Sequence, residues 1–171
     1  MLLETIDKRS STRIAAFFGS TAGGPTSTGR LVPVKSRFGQ FMFDLDRAVA
    51  LPDGLLGFPA ARSFALVPLE SDRLRPFQLM QVIEDEKLSF LVLAFDRDNP
   101  LIRAPDADAA ARACGIDNHE FGVILIANLR RSPSGPKLSL NLRAPVMLDL
   151  NTRRAWQHIL ADEQYPIRHF L

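Results

Sequence analysis

Three histidines, one cysteine and two acid-rich runs are the residues here whose types could carry reactivity. Histidines bind metals or move protons when the fold brings them together. His119, His158 and His169 share no ligand spacing, and the last two sit among apolar residues, which points to structural or solvent roles. The run Glu84-Asp85-Glu86 could hold a cation, but lying before Lys87 between strand-like segments it reads as a solvated hairpin tip. "DRDNP", Asp96 to Pro100, offers oxygen ligands but lacks the glycine and terminal glutamate of a calcium loop. It reads as a turn built on Asn and Pro chemistry. A single thiol, Cys114, makes neither an intramolecular disulfide nor a cysteine-based zinc site, and reads as a small buried helix residue. No GxSxG elbow, phosphate loop, GxGxxG or HExxH stretch is present. These residues point to a protein that is not an enzyme and uses no cofactor or metal.

Two nucleotide readings are weighed beside this. "RSSTR", Arg9 to Arg13, matches the RxxxR half of a cyclic-dinucleotide signature, but Phe18 stands where the second half needs Asp or Asn. An RNA-binding barrel would show basic residues interleaved with exposed aromatics. Here the aromatics are mostly Phe within apolar strands, so no direct nucleic-acid contact is expected.

The elements that must position any site are mostly strands. "FGQFMFDL", "SFALVPL", "PFQLMQVI" and "LSFLVLAF" are strand-length apolar runs bounded by charge, Pro or Gly. "FGVILIANL", Phe121 to Leu129, is nearly all apolar and reads as a central strand. "KLSLNLR" alternates Leu138, Leu140 and Leu142, and "PVMLDL" begins at Pro145. "DADAAARACGI", Asp106 to Ile116, is Ala-rich, opens with acids and stops at Gly115, which predicts one short helix near 106–114. "NTRRAWQHIL" allows helix or strand. Many short strands with one helix imply a mainly β fold: a small closed or partly open antiparallel β-barrel.

Residues 1–37 carry +4 and the rest −2. "GSTAGGPTSTGR", Gly19 to Arg30, cannot bury enough apolar surface to offset its ordering entropy. The expectation is a disordered basic tail over 1–37 and one folded domain over 38–171. No run approaches ~20 apolar residues, so no membrane span is expected, and the location inferred is the cytoplasm.

"ALPDGLLGFP", Ala50 to Pro59, combines two glycines and two prolines with large apolar side chains. With "PFQLMQV", "LSFLVLAFDRDNP" and "SLNLRAPVMLDLNTRRAWQHIL" followed by Tyr165, it resembles the FliW family of flagellar assembly factors over residues 41–168. The order and spacing of these segments carry the resemblance, and "NLRAP" with Gln157 and Tyr165 is its most specific part. The DRDNP insertion, the long basic tail and the mild acidity of the rest depart from the family pattern.

The resemblance implies a small β-barrel that binds flagellin in the cytoplasm and antagonises the translational regulator CsrA by partner exchange. The modest acidity weakens the electrostatic case for CsrA, itself basic, more than the case for flagellin. The alternative class is a β-barrel module for RNA or a cyclic dinucleotide. Candidate partner-binding residues are Leu55, Phe58, Phe77, Leu79, Asn141, Gln157 and Tyr165. Gly54 and Gly57 permit unusual backbone, and Pro52 and Pro59 stiffen the loop ends. Leu55, Leu56 and Phe58 then either plug the barrel or line a groove for an apolar segment, and the plug is favoured for Phe58. The same two readings stand for Phe77 and Leu79. Asn141 is expected to satisfy backbone groups near Pro145. Gln157 and Tyr165 stay open between structure and interface.

Overall fold

The structure, a computed structural model, describes residues 12–18, 30–36, 39–69 and 76–171. In chain order the described elements are α1 (Thr12–Phe18), β1 (Leu31–Ser36), β2 (Gly39–Asp44), a 3₁₀ turn (Leu45–Arg47), β3 (Val49–Ala50), β4 (Ser63–Pro68), β5 (Gln78–Val82), β6 (Ser89–Asp96), α2 (Ala104–Ala113), β7 (Phe121–Ser132), β8 (Gly135–Leu140), β9 (Val146–Asp149), β10 (Arg154–Gln157) and β11 (His169–Phe170). β1 and β2 form a separate hairpin. The other strands run β11-β8-β7-β6-β5-β4-β3-β10-β9, and β9 returns to β7. That return closes a barrel of 7 strands. The antiparallel expectation holds at every pairing except one: β10 meets β3 in parallel at Arg154 and Ala50.

β7 is long enough to serve two neighbours on one edge. Phe121 to Ile124 pair with β9, and Ala127 to Ser132 pair with β8. Its near-continuous apolar run follows from burial on both faces. Ile124 joins a cluster with Val49, Phe64, Met80, Val92, Val146, Leu148 and Ala155. These come from every strand of the barrel, so this cluster is the barrel interior. Val123 and Leu125 point the other way, into a second core with Phe77, Phe95, Met147 and the alanines of α2.

α2 follows its local rules. Pro105 stands in the first turn, Asp106 sits near the N-terminus and Arg112 near the C-terminus. Gly115 takes φ 77°, and the Ile116 amide donates to the Ala111 carbonyl at 2.9 Å, a Schellman-type stop. Cys114 is the half-buried residue at that stop. Burial, with the charge of Asp53 adding, pushes its thiol up to about 11, which keeps it protonated and unreactive at neutral pH. The ambiguous "NTRRAWQHIL" contains strand β10.

Two elements fall inside the stretch read as a disordered tail. β1 is one, and α1 is the other. Ile14 and Phe18 of α1 are buried in the barrel-interior cluster, so this helix closes one mouth of the barrel. Its Ile14 amide donates to Asp96 at 3.0 Å, and Arg13 makes two bonds to Glu120 at 2.7 and 2.8 Å. Its last carbonyls are met by arginines: Arg153 donates to that of Phe17 and Arg47 to that of Phe18. The Arg153 guanidinium also stacks 4.1 Å from the Phe17 ring centroid. Burial, and then the like charge of Arg47, pull the Arg153 guanidinium below its usual value. The rest of the tail reading falls on residues outside those described. Among the described residues no helix is long and apolar enough to cross a membrane.

Candidate protein-binding groove

A large apolar concavity, about 730 Å³, lies where the edge of β7 changes neighbour from β9 to β8. Strands β5, β6 and β7 supply Leu79, Phe90, Leu91, Ile126 and Leu129, and the C-terminal segment supplies Ile167 and Arg168. Leu129 is 61% exposed and Ile167 65% exposed, so two large apolar side chains face solvent at its rim. Such a shape suits apolar anchors of a ligand.

"NLRAP" builds the wall. The Asn141 amide donates to the Ile126 carbonyl at 2.9 Å, joining the segment to β7 at the switch point. Asn141 Oδ1 accepts from the Arg143 and Ala144 amides at 3.0 and 3.2 Å, satisfying the turn before Pro145 as expected. The Arg143 side chain donates to the Tyr165 carbonyl at 2.9 Å, and the Leu142 amide donates to the Pro166 carbonyl at 3.1 Å. These bonds fix the chain just before Ile167. Tyr165 is buried; its hydroxyl donates to Asp106 and accepts from the Arg103 amide at 3.2 Å. The Tyr165 hydroxyl, and then Arg103, hold the Asp106 carboxyl below the usual carboxylate range.

The glycine-rich loop lies beside Phe90. Leu55 and Phe58 exchange backbone hydrogen bonds at 3.1 and 2.7 Å, leaving Leu56 and Gly57 at the tip. Gly54 takes φ 72°, and a Cβ there would lie 2.8 Å from Pro59 backbone atoms. Leu55 is buried in the barrel interior, whereas Phe58 is 41% exposed. The plug expected of Phe58 is therefore supplied by Leu55. With Leu55 filling that space, a second large side chain from the same tight turn would overpack it. The Phe58 ring instead meets Phe90 edge-on, 5.5 Å between centroids, and Phe90 lines the groove. Gln157 pins the tip: Oε1 accepts from the Leu56 amide at 2.9 Å and Nε2 donates to the Ala144 carbonyl at 3.0 Å.

Of the residues singled out in the sequence, Leu79 and Asn141 line the groove and Phe58 reaches it through Phe90. Leu55, Gln157 and Tyr165 hold its surroundings in place, and Phe77 belongs to the core behind the sheet. Phe90, Ile126, Leu129 and Ile167 are groove residues that sequence reasoning missed. The signal available for Leu129 was an apolar run continuing into the charged end of "FGVILIANLRR".

The reactive residue types are dispersed. His119 lines a polar recess beside Arg13 and Asp96, His158 sits near Tyr165 in another, and His169 is in β11. Asp85 Oδ1 accepts from the Lys87 amide, and Asn99 Oδ1 accepts from the Leu101 and Ile102 amides, which makes both acid-rich runs turn structures, with Glu84 tied across to the Arg62 and Ser63 amides. Among the described residues no three His, Cys, Asp or Glu side chains group as metal ligands.

Comparison with known proteins gives one consistent result. A family model described as FliW protein matches residues 34–171. The flagellar assembly factor FliW of Syntrophotalea carbinolica is 32% identical over 142 residues, covering 80% of this chain and 94% of that protein. The protein of the same description from Syntrophus aciditrophicus is 29% identical over 135 residues, covering 78% and 83%. A crystal structure of a flagellar assembly factor FliW matches with a TM-score of 0.61 at 20% identity, covering 81% of this chain and 96% of that chain, which establishes likeness of fold.

Proposed function

The chain belongs to the FliW family of flagellar assembly factors, and on that premise we propose that it works by binding: it holds flagellin in the cytoplasm and antagonises CsrA when flagellin departs. The observation that carries this reading is the apolar groove with Leu129 and Ile167 exposed at its rim. Surface of that kind is costly to leave in water and is a mark of protein–protein contact. The mechanism is mass action. Flagellin and CsrA draw on one pool of this protein, so secretion of flagellin frees it for CsrA, and no bond is made or broken.

The test is size-exclusion chromatography of the purified protein with purified flagellin, at tens of micromolar, on the order of a weak interface's dissociation constant. A one-to-one complex is expected. Separate elution at that concentration removes the flagellin assignment. Adding CsrA to the preformed complex then reads the exchange: CsrA associates only as flagellin is depleted.

A further inference from the structure

The hairpin beside the groove carries an unbalanced charge. Beyond the barrel, β7 and β8 continue as a hairpin in which Arg130 faces Lys137 directly and Arg131 faces Pro136. Like charges opposite one another destabilise a strand pair. Arg130, Arg131 and Lys137 are exposed, as is Arg168 on the groove wall. Among the described residues none of these four makes an ion pair. No aspartate or glutamate among the described residues lines the groove. The hairpin thus presents concentrated positive charge, while the chain beyond residue 37 is net negative.

The groove also holds polar groups with no protein partner among the described residues. Ser89 is 7% exposed, lines the groove, and its Oγ has no hydrogen-bond partner among the described residues. The side-chain NH₂ of Asn141, on the same wall, makes no hydrogen bond among the described residues, since only its Oδ1 is engaged. The Ser89 oxygen is closed to solvent, but the Asn141 NH₂ is reachable, and a peptide backbone supplies carbonyl acceptors for it.

We propose that this groove receives a segment of a protein partner in which apolar anchor residues are flanked by carboxylates. The anchors enter between Leu79, Leu91, Ala127 and Leu129, which share one face of the sheet. The carboxylates meet Arg168 on the groove wall and Arg131, on the same face of β7 as Leu129. The segment's backbone pairs with Asn141. This rests on the binding-protein reading above and names the chemistry of what is bound. An apolar centre with a charged rim is the usual anatomy of a protein interface. Single-stranded nucleic acid would ask for exposed aromatic platforms along a basic track, and the groove's aromatic, Phe90, is half-buried beneath Phe58.

The test is selection of phage-displayed random peptides on the immobilised full chain, followed by titration of the enriched peptides. Enrichment of sequences with Leu, Ile or Phe flanked by Asp or Glu is expected. Leu129→Asp, and separately Arg131→Glu with Arg168→Glu, are each expected to weaken those peptides at least about tenfold. These side chains are exposed, and thermal melts check that the variants fold as the parent does. Raising salt is expected to weaken binding as the Debye length shortens. The proposal is overturned if enriched peptides are basic or uncharged, if no peptide is enriched, or if Leu129→Asp leaves binding unchanged. It is equally overturned if a single-stranded RNA probe binds through Arg131 and Arg168 while acidic peptides do not. Flagellin co-elution is scored separately. Acidic peptides binding without flagellin binding sinks the flagellin assignment alone; flagellin binding undiminished by the groove variants sinks the groove alone.

Discussion

The Leu56 amide donates to Gln157 Oε1, so the end of β10 carries the exposed tip of the glycine-rich loop. Because Gln157 Nε2 also donates to the Ala144 carbonyl, one side chain ties the loop to the wall that shapes the groove. Gln157→Ala removes both bonds. The expected cost is about 1–3 kcal/mol in urea melts, because each net hydrogen bond contributes about 0.5–1.5 kcal/mol. Flagellin binding is expected to weaken with it, as the tip is no longer held.

Leu55 and Phe58 separate packing from recognition. Leu55→Ala is expected to cost about 2–5 kcal/mol, since its side chain fills the barrel interior. Phe58→Ala loses an edge-on aromatic contact of about 0.5–1.5 kcal/mol and part of its burial. Paired urea melts and flagellin titrations should therefore place the larger stability loss on Leu55 and the larger affinity loss relative to stability on Phe58. The reverse pattern would return Phe58 to the role of plug.

Removing residues 1–18 is expected to lower the melting temperature, contrary to what a free tail would do. Ile14 and Phe18 leave the barrel interior, and Asp96, Arg153 and Glu120 lose their bonds to α1. Ile14→Ala alone is expected to cost about 2–5 kcal/mol. Gly122→Ala should act on the same contact from the other side, because a Cβ there would lie 2.5 Å from Ile14 Cδ1. A truncated protein that melts with the full chain would show that α1 adds nothing to the barrel.

Acid should weaken the attachment of α2. The Arg97 guanidinium, bonded to Asp108 at 2.7 Å through two nitrogens, holds that carboxyl below its usual range, as Tyr165 and Arg103 do for Asp106. A carboxylate held low only in the folded chain contributes fully above the ordinary aspartate value, about 3.9. That contribution disappears as pH falls through the folded value. Urea midpoints measured downward from about pH 6 should fall in acid, and Asp108→Asn should flatten the fall.

Strands β2 and β4 to β9, with α2, were legible in the sequence, because period-2 apolar runs and capping residues are local signals; β1, in the stretch assigned to the tail, was not. Nor was α1. "TRIAAFF" is too short to hold a helix alone, and its order comes from docking on Gly122, Asp96 and Arg153, which are distant in sequence. Gly54, Gly57 and the prolines showed that the loop was rigid, but not that Leu55 rather than Phe58 turned inward. The groove was hidden for the same reason. It exists because β7 exchanges neighbours and because Arg143 holds the chain before Ile167, both long-range facts.

The two-partner edge of β7 makes that strand part stave and part cantilever. Phe121 to Ile124 are clamped within the barrel wall, whereas Leu129 to Ser132 are paired only with β8. The overhanging end can fray without opening the barrel, since none of its ladder bonds belongs to the closure. Amide exchange should then show a step along one continuous strand, slow before Ile126 and fast after Asn128. A surface that bends while its root stays rigid can adjust to unlike partners at little cost to the fold.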